Sequence, residues 1–167
     1  MFKTNRPKIK IELEPIDLAI EFLSITFLIL MWVYFLTNYW DLPEIIPTHF
    51  NAKGEADSFG SKSNIWFLPI LNTGIYILLL IICRRPHLHN YMVNITEENA
   101  KKQYKFSSRF LRIVNFFCVI LLSYIVYIFL KGAKGDESNI GILFWVLVIT
   151  ISIVLPVFAL IYQQKNK

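Results

Sequence analysis

The chain has 167 residues, 55% of them apolar and only 17% charged, with a formal net charge of +5. Soluble domains run at roughly 45–50% apolar and about 25% charged, so this balance excludes an ordinary soluble domain and points to a lipid bilayer as the solvent. The positive charge does not argue for nucleic acid as a partner: where basic residues fall matters more than their sum, and here they fall between apolar runs.

Residues 1–17 form a polar tail that mixes Lys3, Arg6, Lys8 and Lys10 with Glu12, Glu14 and Asp17. Four apolar runs follow, at 18–37, 65–83, 110–130 and 140–162. Each is close to the ~20 residues that a helix needs to cross the hydrocarbon core at ~1.5 Å per residue. No small-residue cleavage site follows the first run, so it is read as a retained helix. None of the four alternates with a period of two, which argues against a barrel, and the bilayer core leaves the helix as the other spanning form. The expected architecture is an all-α integral membrane protein with four transmembrane helices. Helix one, the loop 38–64 and helix two make a first unit over 18–83; a basic loop covers 84–109; helices three and four cover 110–162; a short tail covers 163–167.

Orientation follows from Lys and Arg, which accumulate on the cytoplasmic side. The two tails and the 84–109 loop hold twelve of them; the 38–64 loop and the short connection after helix three hold four. Both termini are therefore expected in the cytoplasm, and the 38–64 loop outside. Trp32, Trp40, Trp66 and Trp145 fall near the outer ends of their helices, where an amphipathic ring suits the interface; Trp32 and Trp145 also suit packing between helices.

Within the membrane runs three polar residues stand out. Glu21 and Arg112 lie near the cytoplasmic face on helices one and three, and either pair with each other or snorkel separately to the interface. Asn72 lies in the outer half of helix two beside Pro69, Thr73 and Gly74. It faces a polar cavity or hydrogen-bonds to a neighbouring helix, while Gly74 permits close helix approach. Cys83 and Cys118 are expected to pack, with no disulfide framework and no metal spacing. Before helix three, Thr96 is a candidate N-cap and Glu97 and Glu98 suit the helix dipole, so the helix is expected to start near 97 and project from the membrane. Lys101, Lys102 and Lys105 then suit anionic headgroups or simply set topology. Pro156 allows a kink in helix four.

The outer loop is the most elaborate polar segment. Pro47 forces extended geometry on Ile46. Continued alternation puts Ile46, Thr48 and Phe50 on one side and Pro47, His49 and Asn51 on the other. Asn51 and Gly54 bracket a turn, and the return through 55–62 makes a hairpin-like lid, packed down by Phe50 and Phe59. Ser63 or Asn64 is placed to cap helix two. His49, Glu55 and Asp57 are the group with metal-binding or acid–base chemistry, but no metal or nucleophile motif surrounds them. No catalytic residue and no cofactor is assigned. His87 and His89 fall on the opposite side and are read as interfacial.

The stretch LPEIIPTHFNAKGEADSFGSK resembles the signature of a bacterial membrane-domain family of unknown function (domain of unknown function 1648), roughly L-P-x-x-I-P-x-H-[FW]-[ND]-x-x-G-x-x-D-x-[FYW]-G-S-K. Leu42, Pro43, Ile46, Pro47, His49, Phe50, Asn51, Gly54, Asp57, Phe59, Gly60, Ser61 and Lys62 match it. The family includes the N-terminal part of SdpI-type peptide-toxin immunity proteins. The resemblance covers about residues 18–83, and the second half is similar to SdpI only in general character. It implies a multi-pass protein of the bacterial cytoplasmic membrane, of the binding, immunity or signalling type. Its motif residues Pro47, His49, Asn51, Gly54, Asp57, Gly60, Ser61 and Lys62 would form a lid or recognition surface for a peptide toxin or another membrane protein. A small transporter or lipid-handling protein using Glu21, Asn72 and Arg112, and a membrane enzyme using His49 and its carboxylates, remain alternatives. A homo-oligomer is compatible with each.

Overall fold

The structure is a computed structural model that describes residues 6–51, 55–135 and 141–166. Gly54 and the side chain of Phe50 lie outside the described residues. Four helices are long and apolar enough to cross a membrane. In chain order they are α1 (Pro15–Tyr39), α2 (Phe67–Cys83, entered through a 3-10 turn at Lys62–Trp66), α3 (Glu97–Ala133) and α4 (Ile142–Lys165). The chain is thus a multi-pass membrane protein, mostly helical. It is not wholly helical: the loop between α1 and α2 is an antiparallel hairpin of β1 (Ile45–Phe50) and β2 (Ala56–Ser61).

α1 starts on Pro15, whose missing N–H falls where a helix has no acceptor for it, and Asp17 accepts the Glu14 N–H at 2.9 Å. Its buried residues Ser24, Leu28, Met31, Phe35 and Tyr39 recur every three or four positions, one stripe along one face. The opposite face exposes Phe22, Leu30 and Val33, an apolar outside that suits lipid. α3 begins at Glu97, as the capping residues predict: the Thr96 hydroxyl accepts the Asn99 N–H at 3.4 Å, and the Asn99 side chain accepts the Thr96 N–H at 3.0 Å. Its 37 residues span about 55 Å, well beyond a ~30 Å hydrocarbon core.

α3 is the central helix. It runs parallel to α1 and antiparallel to α2. Asn72 on α2 donates to Val119 O at 3.4 Å and Ser123 Oγ at 3.2 Å on α3, and one turn further Asn115 on α3 donates to Tyr76 O at 3.1 Å. Asn72 is therefore a helix–helix bond, the second of its two expected roles. Gly74 does not serve close approach: a Cβ there would meet nothing within 4 Å. α4 is the most loosely packed helix, and Trp145 on it is exposed. A π-helical turn at Thr150–Val154 precedes Pro156. The proline ring crowds the carbonyl of Ser152 four residues back, and the wider turn absorbs that clash, so the expected kink is taken up as a π-bulge.

At the hairpin end, Leu42, Ile46 and Ile65 join Phe35, Tyr39 and Tyr76 in the main core. Trp66 stacks edge-on against Phe35 with centroids 4.9 Å apart, and Trp32 donates its indole N–H to Thr73 Oγ1 at 2.9 Å. Trp32 and Trp66 thus pack between helices, while Trp40 is exposed. The other end holds a second cluster of Tyr91, Ala100 and Tyr104, against which Ile9 and Ile11 of the N-terminal segment lie. Cys83 is buried, Cys118 is half-buried, and both are free.

Candidate functional site

Two polar centres lie at opposite ends of the bundle. The first is the hairpin. Ile45 pairs with Ser61, Ile46 with Gly60, Pro47 with Phe59, His49 with Ser58 and Phe50 with Ala56. The register shifts at Thr48 and again at Asp57, so each strand carries one extra residue. Those bulges break the simple alternation expected of Ile46, Thr48 and Phe50. They also re-aim side chains: His49 Nδ1 and Asp57 Oδ1, on exposed positions, meet at 2.5 Å. Glu55 takes no part in that pair. It is held by Asn51, whose amide donates to its carboxylate at 2.9 Å and whose side-chain oxygen accepts the Glu55 N–H at 3.0 Å. His49, Glu55 and Asp57 are thus split into two pairs, and among the described residues no three His, Cys, Asp or Glu side chains gather into a metal site.

The base of the hairpin is locked. Pro47 sits in β1, and Ile46 beside it is buried in the core. Lys62 pairs with Glu44 at 2.8 Å, and its ammonium lies 5.8 Å from the Tyr39 ring centre. Gly60 is closely approached: a Cβ there would come to 3.0 Å from Asn64 Nδ2 and 3.1 Å from Thr48 Cγ2, so those side chains would have to shift by a few tenths of an ångström. Neither Ser63 nor Asn64 caps α2, which follows Trp66 with no side-chain cap; Ser61 caps the 3-10 turn before it, its hydroxyl accepting the Ser63 N–H at 3.4 Å. Expected to pack the lid down, Phe59 is instead exposed; Leu42 and Ile46 anchor it, because they sit where β1 leaves the helix bundle.

The second centre is a ladder of charge between α1 and α3. Glu14 pairs with Lys105 and Arg109, Asp17 with Arg109 at 2.7 Å, and Glu21 with Arg112 at 2.8 Å. Arg84, at the end of α2, reaches Glu21 at 3.5 Å. Glu21 and Arg112 are therefore brought together, and Arg112 is buried with only 5% of its side chain exposed. Hydrogen bonds from Lys105 and then Arg109 hold the Glu14 carboxyl below its ordinary value. Sequence reasoning missed Glu14, Asp17, Lys105, Arg109 and Arg84 in this network. The signal was present: acids at 14, 17 and 21 and bases at 105, 109 and 112 both step by three or four, the spacing of one helix face.

Around this ladder the chain ends converge. Arg6 donates to His87 O at 3.3 Å and to His89 O, and its guanidinium lies 5.2 Å from the Tyr91 ring centre. Gln163 accepts the Met92 N–H at 2.9 Å, and Gln103 donates to Asn166 O at 2.6 Å. His89, read from the sequence only as interfacial, has fixed partners within the protein. It is buried, with Nδ1 at 2.7 Å from Ser107 Oγ and Nε2 at 2.8 Å from Ile82 O, and burial pushes its imidazole below the usual histidine range.

Residues 26–73 match the family model described as Domain of unknown function (DUF1648). A relative from Archaeoglobus fulgidus, described as an uncharacterized protein, is 40% identical over 62 residues. That match covers 37% of this chain and 34% of the relative, so it spans about a third of each. The relative is archaeal, so likeness to this chain is not confined to bacteria. No solved structure matches the chain. The matched segment holds the second half of α1, the whole hairpin and the first turns of α2. On this match, the segment 26–73 carries the family signature described as Domain of unknown function (DUF1648).

Proposed function

We propose that this multi-pass membrane protein is a binding protein of the immunity type, and that the hairpin is its recognition surface on the outer face of the cytoplasmic membrane. One observation carries the reading: an exposed His49–Asp57 pair stands on a hairpin whose base is fixed by buried Ile46, by the Lys62–Glu44 ion pair and by the closely approached Gly60. A rigid base and an exposed polar top are what a pre-organised binding surface requires. The distribution of Lys and Arg supports an outside hairpin and inside termini. A peptide toxin or the exposed segment of another membrane protein fits such a surface, in keeping with the resemblance to SdpI-type immunity proteins.

The transport alternative draws less support, because Asn72, Glu21 and Arg112 are committed to fixed partners on neighbouring helices. The enzyme alternative lacks a third group beside His49 and Asp57, since Glu55 is held by Asn51. The test is toxin challenge of cells expressing the chain. His49→Ala and Asp57→Ala are expected to abolish resistance at unchanged protein level in the membrane. Resistance equal to that of the unaltered chain would remove the hairpin from recognition.

A further inference from the structure

At the end of the bundle away from the hairpin lies a cavity of about 790 Å³, within the ~300–1,000 Å³ usual for a ligand site. It is walled by the extended N-terminal segment, the end of α2 and the start of α3. Lys8, Lys10, Arg84, Lys105 and Arg112 line it, against Glu12 and Asp17 as the acidic lining residues, and Asp17 is taken by Arg109. Lys8 and Lys10 make no ion pair among the described residues and both are exposed. Positive charge therefore exceeds negative charge in this space.

An independent observation comes from Ser108. It lines the same cavity, it is 3% exposed, and its hydroxyl has no hydrogen-bond partner. Other helical hydroxyls in this chain bond back one turn: Ser24 to Ile20 O at 2.7 Å, Thr26 to Phe22 O at 2.8 Å, Thr73 to Pro69 O at 2.8 Å. A buried hydroxyl left unbonded costs free energy, so Ser108 marks a place for an acceptor. Arg84, Lys105 and Arg112 already face Glu21 or Glu14, so Lys8 and Lys10 bring the further positive charge to this space; an acceptor placed beside them is an anion, and a phosphate offers several acceptor oxygens.

We propose that this cavity binds the phosphate of an anionic lipid headgroup, with Lys8 and Lys10 closing over it from the N-terminal segment, Arg84 at the α2 end and Ser108 donating from α3. The position suits a lipid: α1 starts and α2 ends here, and exposed apolar Leu13 lines the same cavity. Soluble phosphoesters share the chemistry, and the test separates the two sources.

The full chain, purified in detergent, is titrated with phosphatidylglycerol or with phosphatidylcholine of the same acyl chains and read by native mass spectrometry. Phosphatidylglycerol is expected to bind about tenfold more tightly. The Lys8→Gln/Lys10→Gln double variant, altered on an exposed segment, is expected to lose that preference about tenfold, and Ser108→Ala to lose it several-fold, with unchanged binding of phosphatidylcholine. Glycerol phosphate is the competitor. Displacement of phosphatidylglycerol at equal concentration would support a phosphate site fed from solution; resistance to displacement would support the lipid. Equal affinity for the two lipids, or an undiminished preference in both variants, would overturn the proposal.

Discussion

The Glu21–Arg112 pair gives the sharpest test of what holds α1 against α3. Arg112 Nε lies 2.8 Å from Glu21 Oε1, and Arg112 is 5% exposed. At a charge separation of ~4 Å and an effective dielectric of ~20, the attraction is about 4 kcal/mol. Removing one partner leaves the other buried and uncompensated, at a cost of about 3–5 kcal/mol. The two single changes are not equivalent. Arg84 still reaches Glu21 at 3.5 Å, so a carboxylate abandoned by Arg112 retains a cation. Glu21→Leu is therefore expected to cost about 3–5 kcal/mol and Arg112→Met about 1–3 kcal/mol. The double variant removes both charges and puts apolar side chains of similar volume in their place, so it is expected within about 1 kcal/mol of the unaltered chain. The assay is unfolding in mild detergent with increasing dodecyl sulfate, followed by circular dichroism, for the four members of the cycle. On these figures the coupling, the two single losses less the double, is expected at about 3 kcal/mol or more. If the loss in the double variant equals the sum of the two singles, the pair is not a coupled unit and each side chain is solvated separately. Reversing both charges, Glu21→Arg with Arg112→Glu, is expected to restore part of the expression lost on reversing one; Arg84 limits the recovery by facing the new cation.

Two glycines should respond in opposite directions. Gly60→Ala brings its Cβ against the Thr48 and Asn64 side chains, which must shift to admit it, and is expected to cost about 1 kcal/mol, seen as faster hydrogen exchange confined to the hairpin. Gly74→Ala meets nothing in mid-helix and is expected to stabilise α2 by about 0.5–1 kcal/mol, read as a higher melting temperature. His89 predicts acid sensitivity. Burial holds its imidazole below the reference value of 6.5, outweighing the hydrogen bond to Ile82 O that favours the charged form, and the Arg6 charge acts in the same direction as burial. The unfolded chain then takes up a proton before the folded one does, so stability is full above pH 6.5 and falls as the pH drops below it toward the folded value. Melting temperatures at pH 8 and pH 5.5 are expected to differ in the unaltered chain and to converge in His89→Gln. A pH-independent difference between the two chains would refute the assignment. A second fall at lower pH, below the Glu14 reference value of 4.5, is expected from loss of its bonds to Lys105 and Arg109.

The sequence by itself determined the spans, because crossing a bilayer is a one-dimensional demand: a run must be long enough and apolar enough, and each of the four can be counted off the chain. It also determined where α3 begins, since Thr96 and Asn99 act within one turn of each other. The extended geometry around Pro47 and the family signature were legible for the same local reason. Only the tertiary structure decided which polar residues meet. Glu14, Asp17 and Glu21 find Lys105, Arg109 and Arg112 some ninety residues away because α1 and α3 run parallel in one register, and helix registry is set by packing that no single run encodes. Tertiary placement likewise buried His89, tied Asn72 to Ser123, left Phe59 exposed and left the Ser108 hydroxyl unbonded in a basic cavity. Each of these depends on what a neighbouring element offers, and a lipid-facing helix of given composition accepts many neighbours until interhelical hydrogen bonds and ion pairs choose one.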